Sequence, residues 1–179
     1  MRSPRRVATM GDGHGSVPSP RSRATWSVHK FELDGRPLVA LVNAAYRNFP
    51  DKIRFPWCLL VSIPLRDPTS AGLASGPEGE DMERFEQQTI APLIRAHCVS
   101  HFVVRTTHKG HRDLIFYVDD PQRVVQALND LLESGATRSF TFGAMQDEEW
   151  GSMQRYFKRV EPAHPSWLRW RSHPKQPEG

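Results

Sequence analysis

The apolar residues near the start of the chain alternate with polar ones in two short runs. The first run, residues 26–33, alternates weakly and ends at Asp34-Gly35, and the second run covers residues 38–43. An Asp-Gly pair between extended runs favours a type I′ turn, because both central residues take a positive φ. The pattern therefore predicts an N-terminal β-hairpin.

The next segment joins an apolar run to a long loop. Residues 57–63 are apolar apart from one serine, which predicts a buried strand. Residues 64–81 are rich in proline and glycine and predict a loop, and an acidic stretch from residue 80 then opens a helix. We expect Pro92 to kink or break that helix, since proline cannot donate a backbone hydrogen bond.

Two more strands follow, at residues 99–107 and 112–118, joined by a turn at residues 108–111. Asp120-Pro121 then predicts a helix start, because a carboxylate caps free amides and proline fits the first helical position. Apolar residues recur behind it at helical spacing, up to Gly135.

The last predicted elements are a strand at residues 138–145 and a helix capped by Asp147. From residue 57 onward the order is strand, helix, strand, strand, helix, strand. That order is typical of a ferredoxin-like βαββαβ core. We therefore expect an α+β fold in which an N-terminal β-hairpin precedes this core and a C-terminal helix follows it.

Strand alternation divides the predicted sheet into two faces. The face expected under the two helices carries Leu59, Val61, Ile63, Phe102, Val104, Leu114, Phe116, Phe140 and Phe142. The opposite face carries Leu60, Ser62, Arg105, Thr107, Ile115, Tyr117, Ser139 and Thr141. Because this second face is mixed in polarity, we expect it either to be partly covered by the first hairpin or to be a binding surface.

The charge distribution predicts one domain between two basic tails. Residues 1–24 carry a net charge of +4 and residues 162–179 a net charge of +2, so residues 25–161 carry −2 of the total of +4. We expect a disordered tail at 1–24, a single α+β domain at 25–161 and a Pro/Trp-containing tail at 162–179. The longest apolar run has five residues, too few to span a membrane.

Cysteine and histidine usage limits the chemistry of the domain. Two cysteines exclude a disulfide-dense scaffold and favour a cytoplasmic protein. The histidine- and cysteine-bearing segment 97–111 has the composition of a metal site. However, His101 and His108 are separated by roughly 23 Å along one predicted strand, whereas zinc ligands share one ion. The sequence thus predicts no metal, no cofactor and no catalytic residue.

The candidate interaction residues fall into two groups. His108, Lys109, His111 and Arg112 gather at one hairpin end, with Arg105 on the strand before it. In the C-terminal tail, Trp167 and Trp170 have the character of interface anchors.

Three groups of residues follow one another in a characteristic order. They are Trp26, Asp34-Gly35-Arg36-Pro37-Leu38, Val42-Asn43 and Phe55-Pro56-Trp57; then Thr106-Thr107, Gly110, Arg112 and Phe116-Tyr117; then Asp147-Glu148-Glu149-Trp150 and Tyr156. Over residues 25–161 this order resembles domain of unknown function family number 695. That family carries no established activity. Its second half is similar to regulator B, a bacterial protein that inhibits ribonuclease E by binding it, which implies a small ferredoxin-like adaptor.

These observations favour a non-enzymatic protein-interaction or regulatory module whose partner is another protein. Two alternatives stay open. One is a small enzyme whose site lies near His108–His111, with residues 64–81 as a lid. The other is a ribonuclease- or RNA-linked regulator that uses the basic tails. The oligomeric state is open as well.

Overall fold

A computed structural model describes residues 26–158 and shows a mixed α+β fold around a six-stranded antiparallel sheet. The strands are β1 (Trp26–Leu33), β2 (Arg36–Asn43), β3 (Trp57–Pro64), β4 (Ser100–His108), β5 (His111–Val118) and β6 (Thr141–Gln146). The helices are α1 (Gly76–Phe85), α2 (Ala91–His97), α3 (Gln122–Glu133) and α4 (Gln154–Lys158). The predicted tails, with Trp167 and Trp170, lie outside the described residues. No described helix is long and apolar enough to cross a membrane.

The strands lie in the order β1-β2-β4-β5-β3-β6. The β1–β2 hairpin turns at Asp34 and Gly35, whose φ angles of 51° and 68° are both positive, as the Asp-Gly pair predicts. β2 then pairs with β4, so the hairpin adds two strands to one edge of the sheet and does not cover a face. The expectation that the hairpin covers the second face is therefore wrong.

The helix after the loop begins earlier than its acidic residues suggest. Ser75 caps α1 by accepting a hydrogen bond from the Glu78 amide, so the helix starts at Gly76. Pro92 neither breaks the helix nor leaves a gap in it. A five-residue π segment, Glu86–Ile90, precedes α2, and Pro92 lies in the first turn of α2. The π segment leads directly into α2, so the backbone stays helical through Pro92, and the altered hydrogen bonding of the π segment accommodates the missing proline N–H.

Two hydrophobic cores lie on the two sides of the sheet. The helix-side core joins α1, α2 and α3 to the sheet. It contains Leu59, Val61, Ile63, Leu114, Phe116 and Phe140, with Phe102 and Phe142 packed against it. These assignments confirm the predicted face, with the exception of Val104.

Val104 lies in the opposite core because β4 contains a β-bulge between Phe102 and Val104. A bulge adds one residue to one strand and reverses the alternation beyond it. Arg105 is therefore on the helix side, where its Nη1 donates to Glu86 Oε2 at 3.1 Å. The predicted placements of Val104, Arg105 and Thr107 are wrong for this one reason, since Thr107 pairs with Arg112 on the helix side.

The second face is covered by residues 150–157 and by the connection between β2 and β3. Trp150, Met153, Tyr156 and Phe157 pack there with Tyr46 and Phe55 against Leu60, Ile115 and Tyr117. Tyr117 and Ile115 are fully buried, so this part of the sheet offers no exposed aromatic surface on which RNA bases stack.

The loop between β3 and α1 is bound to the β4–β5 turn by backbone hydrogen bonds. The Gly110 amide donates to Gly72 O at 2.9 Å, and the Leu65 amide donates to Gly110 O at 2.7 Å. Gly72 has φ +76°, and a Cβ added there lies 3.0 Å from the Cα of Lys109. Only glycine fits this close backbone approach without strain.

We expect Gly72→Ala to lower the free energy of unfolding more than Gly135→Ala does. Both glycines have positive φ, which costs an alanine about 1–2 kcal/mol. Gly135 has nothing within 4 Å of an added Cβ, so only Gly72→Ala adds a clash, worth a further ~1–2 kcal/mol. Urea unfolding of both variants measures the difference, and equal losses contradict the close approach.

Candidate interaction surface

The predicted hairpin end is held by contacts to the neighbouring hairpin. His108 is buried, and its Nδ1 lies 3.0 Å from Pro37 O. Lys109 Nζ pairs with Asp34 Oδ2 at 2.8 Å, which joins the β4–β5 turn to the β1–β2 turn. These contacts give His108 and Lys109 a structural role at the junction of two turns.

His111 and Arg112 project to opposite sides of the sheet. His111 Nδ1 lies 3.1 Å from Lys109 O, on the same side of the sheet as His108. Arg112 is buried on the helix side, next to the Arg105–Glu86 pair. The predicted group is thus divided by the sheet, and its side chains do not converge on one reaction centre.

Arg112 is an unusual buried cation. Its Nε and Nη1 atoms are buried and have no hydrogen-bond partner among the described residues. Burial lowers the pKa of Arg112, and the nearby Arg105 lowers it further, while Glu86 opposes both effects. Burial likewise raises the pKa of Glu86, against the effect of Arg105. The two arginines and Glu86 thus form a buried charged group between the sheet and the π segment.

The predicted histidine and cysteine cluster is dispersed in the structure. His97 Nδ1 lies 2.9 Å from Leu93 O, and Cys98 Sγ donates to Ile94 O at 3.3 Å. Burial raises the pKa of Cys98 to about 12, with Asp119 and Asp120 adding to the effect. In the described part of the chain, no three His, Cys, Asp or Glu side chains are grouped to hold a metal ion.

His101 lies in an aromatic cluster on the second face. Its Nδ1 is 3.1 Å from Tyr46 Oη, and its ring contacts Phe49 and Phe55 at centroid distances of 4.8 and 4.1 Å. Its Nε2 is buried without a partner. Burial lowers the pKa of His101, and Asp119 and Asp51 oppose that shift. The ring is a neutral packing element at neutral pH.

Cys58 lies in a second buried polar cluster, beside Tyr117 and Asp147. Tyr117 Oη donates to Asp147 Oδ2 at 2.6 Å, and burial raises the pKa of Tyr117. Burial also raises the pKa of Cys58 to about 12, and the charge of Asp147 adds to this effect. A thiol with this pKa is protonated at neutral pH and is a poor nucleophile. The cluster therefore has a packing role in the core on the second face of the sheet.

The clearest open apolar surface lies on the helix side of the β1–β2 hairpin. We call it the hairpin patch, and its residues are Trp26, Val28, Val39 and Leu41. Val28 is 62% exposed and Trp26 is 38% exposed, although Trp26 also contacts Phe102 at a centroid distance of 5.2 Å. Val39 and Leu41 are half-buried.

Sequence reasoning missed the hairpin patch, although a signal for it was present. β1 has apolar residues on both of its faces, at Trp26 and Val28 and again at Phe31 and Leu33. An edge strand needs only one apolar face to join a core. The second apolar face is therefore available for a different contact.

Comparison with known proteins places the chain in a family. Residues 24–157, well over half of the 179 residues, match the Family of unknown function (DUF695). The chain belongs to this family. The match confirms the resemblance and leaves the function uncharacterised. No curated protein and no solved structure matches the chain.

We expect the protein to lose stability as the pH falls below about 6.5, in part through His101. Its pKa in the folded state is below the ordinary value of 6.5, so the unfolded chain binds more protons in this range. The stability that the folded protein gains from a neutral His101 is fully present above pH 6.5 and is lost as the pH falls below it. Each unit of pH changes the free energy of unfolding by at most about 1.4 kcal/mol for one proton.

The matched variant is His101→Asn, which keeps a polar group near Tyr46 and removes the titration. Urea unfolding of both proteins between pH 7.5 and 5.5 isolates the histidine, because other groups such as Glu86 titrate in both. We expect a shallower pH dependence in the variant. Parallel curves for the two proteins contradict the assignment.

Proposed function

We propose that this DUF695 domain is a non-enzymatic protein-interaction module and that the hairpin patch is its docking surface. The observation that carries this proposal is the exposure of Val28 and Trp26 on a sheet face that no described helix covers. Exposed apolar surface next to a well-packed core is typical of an interaction site. The predicted alternative, an enzyme at residues 108–111, lacks comparable support, since His108 and Lys109 are engaged with the neighbouring hairpin and Arg112 lies on the other side of the sheet.

The geometry of the layers suggests the shape of the partner. Strands are spaced about 4.8 Å apart and a helix is about 10 Å wide, so one helix covers about two strands. The two helical rods of this fold, α1–α2 and α3, pack over β3 to β6. The two strands of the hairpin leave room for one more helix beside them.

We further propose that the occupant is an amphipathic helix of another protein. Such a helix lays an apolar stripe into an apolar groove. Trp26 and Phe102 connect the hairpin patch to the helix-side core, so a docked helix continues an existing layer. Lys30 is exposed on the same face and provides a cation for an acidic residue at the edge of that stripe.

The fold and the cellular setting are part of the same proposal. The order β4-β5-β3-β6, with helices between β3 and β4 and between β5 and β6, supports a ferredoxin-like core. Cys58 and Cys98 are free thiols, which supports a reducing, cytoplasmic setting. A bacterial adaptor that regulates a ribonuclease by binding it fits this picture and rests on the family resemblance alone.

We expect Val28→Glu to abolish partner binding without unfolding the domain. A carboxylate at this exposed position stays solvated in the free protein but is desolvated beneath an apolar helix. The matched control is Val99→Glu, because Val99 is equally exposed, at 59%, and lies before β4, away from the hairpin patch. Affinity capture from native extract with the full chain compares wild type and both variants.

A single partner retained by wild type and Val99→Glu but lost by Val28→Glu supports the proposal. Hydrogen exchange on that complex then shows protection at residues 26–41. A partner retained by all three proteins places docking elsewhere. Capture by Val28→Glu that equals capture by wild type contradicts docking of a partner at the hairpin patch. Protection of residues 26–41 in the isolated full chain contradicts it as well, since the chain's own tails then cover the patch.

A further inference from the structure

A concave feature lies on the other side of the hairpin from the hairpin patch. It is an open groove with a cavity volume of about 340 Å³. Its lining residues are Ser27, His29, Ala44, Ala45, Arg47 and Asn48. Because successive strand residues face opposite sides of a sheet, Ser27 and His29 point away from Trp26 and Val28. The groove is therefore separate from the hairpin patch.

The donors that the groove offers to a ligand come from Arg47 and Asn48. Arg47 contributes a guanidinium and Asn48 an amide, whereas the Ser27 hydroxyl and the His29 ring are paired with each other. None of the six lining residues carries a carboxylate. A guanidinium presents parallel N–H groups that match the oxygens of a phosphate or a carboxylate.

The pairing of Ser27 and His29 supports binding rather than catalysis. Ser27 Oγ lies 2.8 Å from His29 Nε2 and donates to Val42 O at 3.4 Å. A serine hydroxyl has one proton, so both contacts are made at once only if His29 Nε2–H donates to Ser27. In that arrangement the imidazole does not act as a base toward the hydroxyl, as a nucleophilic serine requires.

The chain around Arg47 is held in place by its neighbours. Asn43 is buried, and its Oδ1 accepts a hydrogen bond from the Ala45 amide at 3.2 Å. Tyr46 is buried in the second core and bonded to His101. These contacts fix the turn before Arg47, and Phe49 after it packs against the same core, so Arg47 and Asn48 project from a preorganised backbone.

From this arrangement we infer that the groove binds a small oxyanion, a phosphate or carboxylate group of a small molecule. Its volume falls within the range of small-ligand sites, which is about 300–1,000 Å³. The inference is independent of the proposed docking function, because it rests on different residues on the other side of the sheet.

The test is a titration of the full chain with inorganic phosphate and, separately, with sodium acetate, each at constant ionic strength against chloride. Backbone NMR shifts of residues 27–29 and 44–48 report binding. The decisive variant is Arg47→Gln. The matched control is Arg54→Gln, because Arg54 is exposed on the same connection and does not line the groove.

We expect saturable shifts in the wild-type protein, at least roughly tenfold weaker binding in Arg47→Gln and a change within about twofold in Arg54→Gln. Binding of phosphate alone assigns a phosphate ester, and binding of acetate alone assigns a carboxylate. The absence of saturable binding of both anions overturns the inference. Equal weakening by the two variants does so as well, since it indicates general charge attraction.

Discussion

The packing of Trp150 is the contact around which the cover of the sheet's second face is built. Its side chain is fully buried and stacks on Tyr117 with ring centroids 4.0 Å apart and an angle of 14° between the planes. Its Nε1–H donates to Phe55 O at 3.0 Å, a contact across 95 residues of sequence. One side chain thus joins the sheet, the β2–β3 connection and the C-terminal segment. Without it, the cover of the second face loses its largest fully buried side chain.

The backbone at Trp150 is strained to make this contact. Its φ of 54° lies in the left-handed region, which costs a bulky residue of this kind about 1–3 kcal/mol. Asp147 holds the turn, because its two carboxylate oxygens accept from the amides of Gly151 and Ser152 and from the Tyr117 hydroxyl. The apolar burial and the hydrogen bonds offset the strain.

Both faces of the central strands are covered, and the surfaces that we propose for binding lie on the hairpin at the edge of the sheet. On the helix side of the sheet no described helix packs on the hairpin, so Trp26 and Val28 stay exposed there. On its other side the hairpin packs against α4, and the groove lined by Arg47 and Asn48 lies beside Ser27 and His29. The candidate residues 108–112, in contrast, hold two turns together or contribute to the buried charged group. The hairpin therefore combines a structural role, as the sheet extension, with the surfaces best suited to binding.

The sequence by itself determined the elements that depend on nearby residues. The Asp34-Gly35 turn, the apolar face of β3 and the start of α3 follow from backbone preference and periodicity within about ten residues. Only the tertiary structure decided the bulge in β4, which moved Arg105 to the helix side, and the cover of the second face. Both depend on partners distant in the chain, such as Glu86 for Arg105 and Phe55 for Trp150. Local periodicity contains no information about such contacts. The two apolar faces of β1 are readable from the sequence, but which of them stays open was decided only by the folded chain.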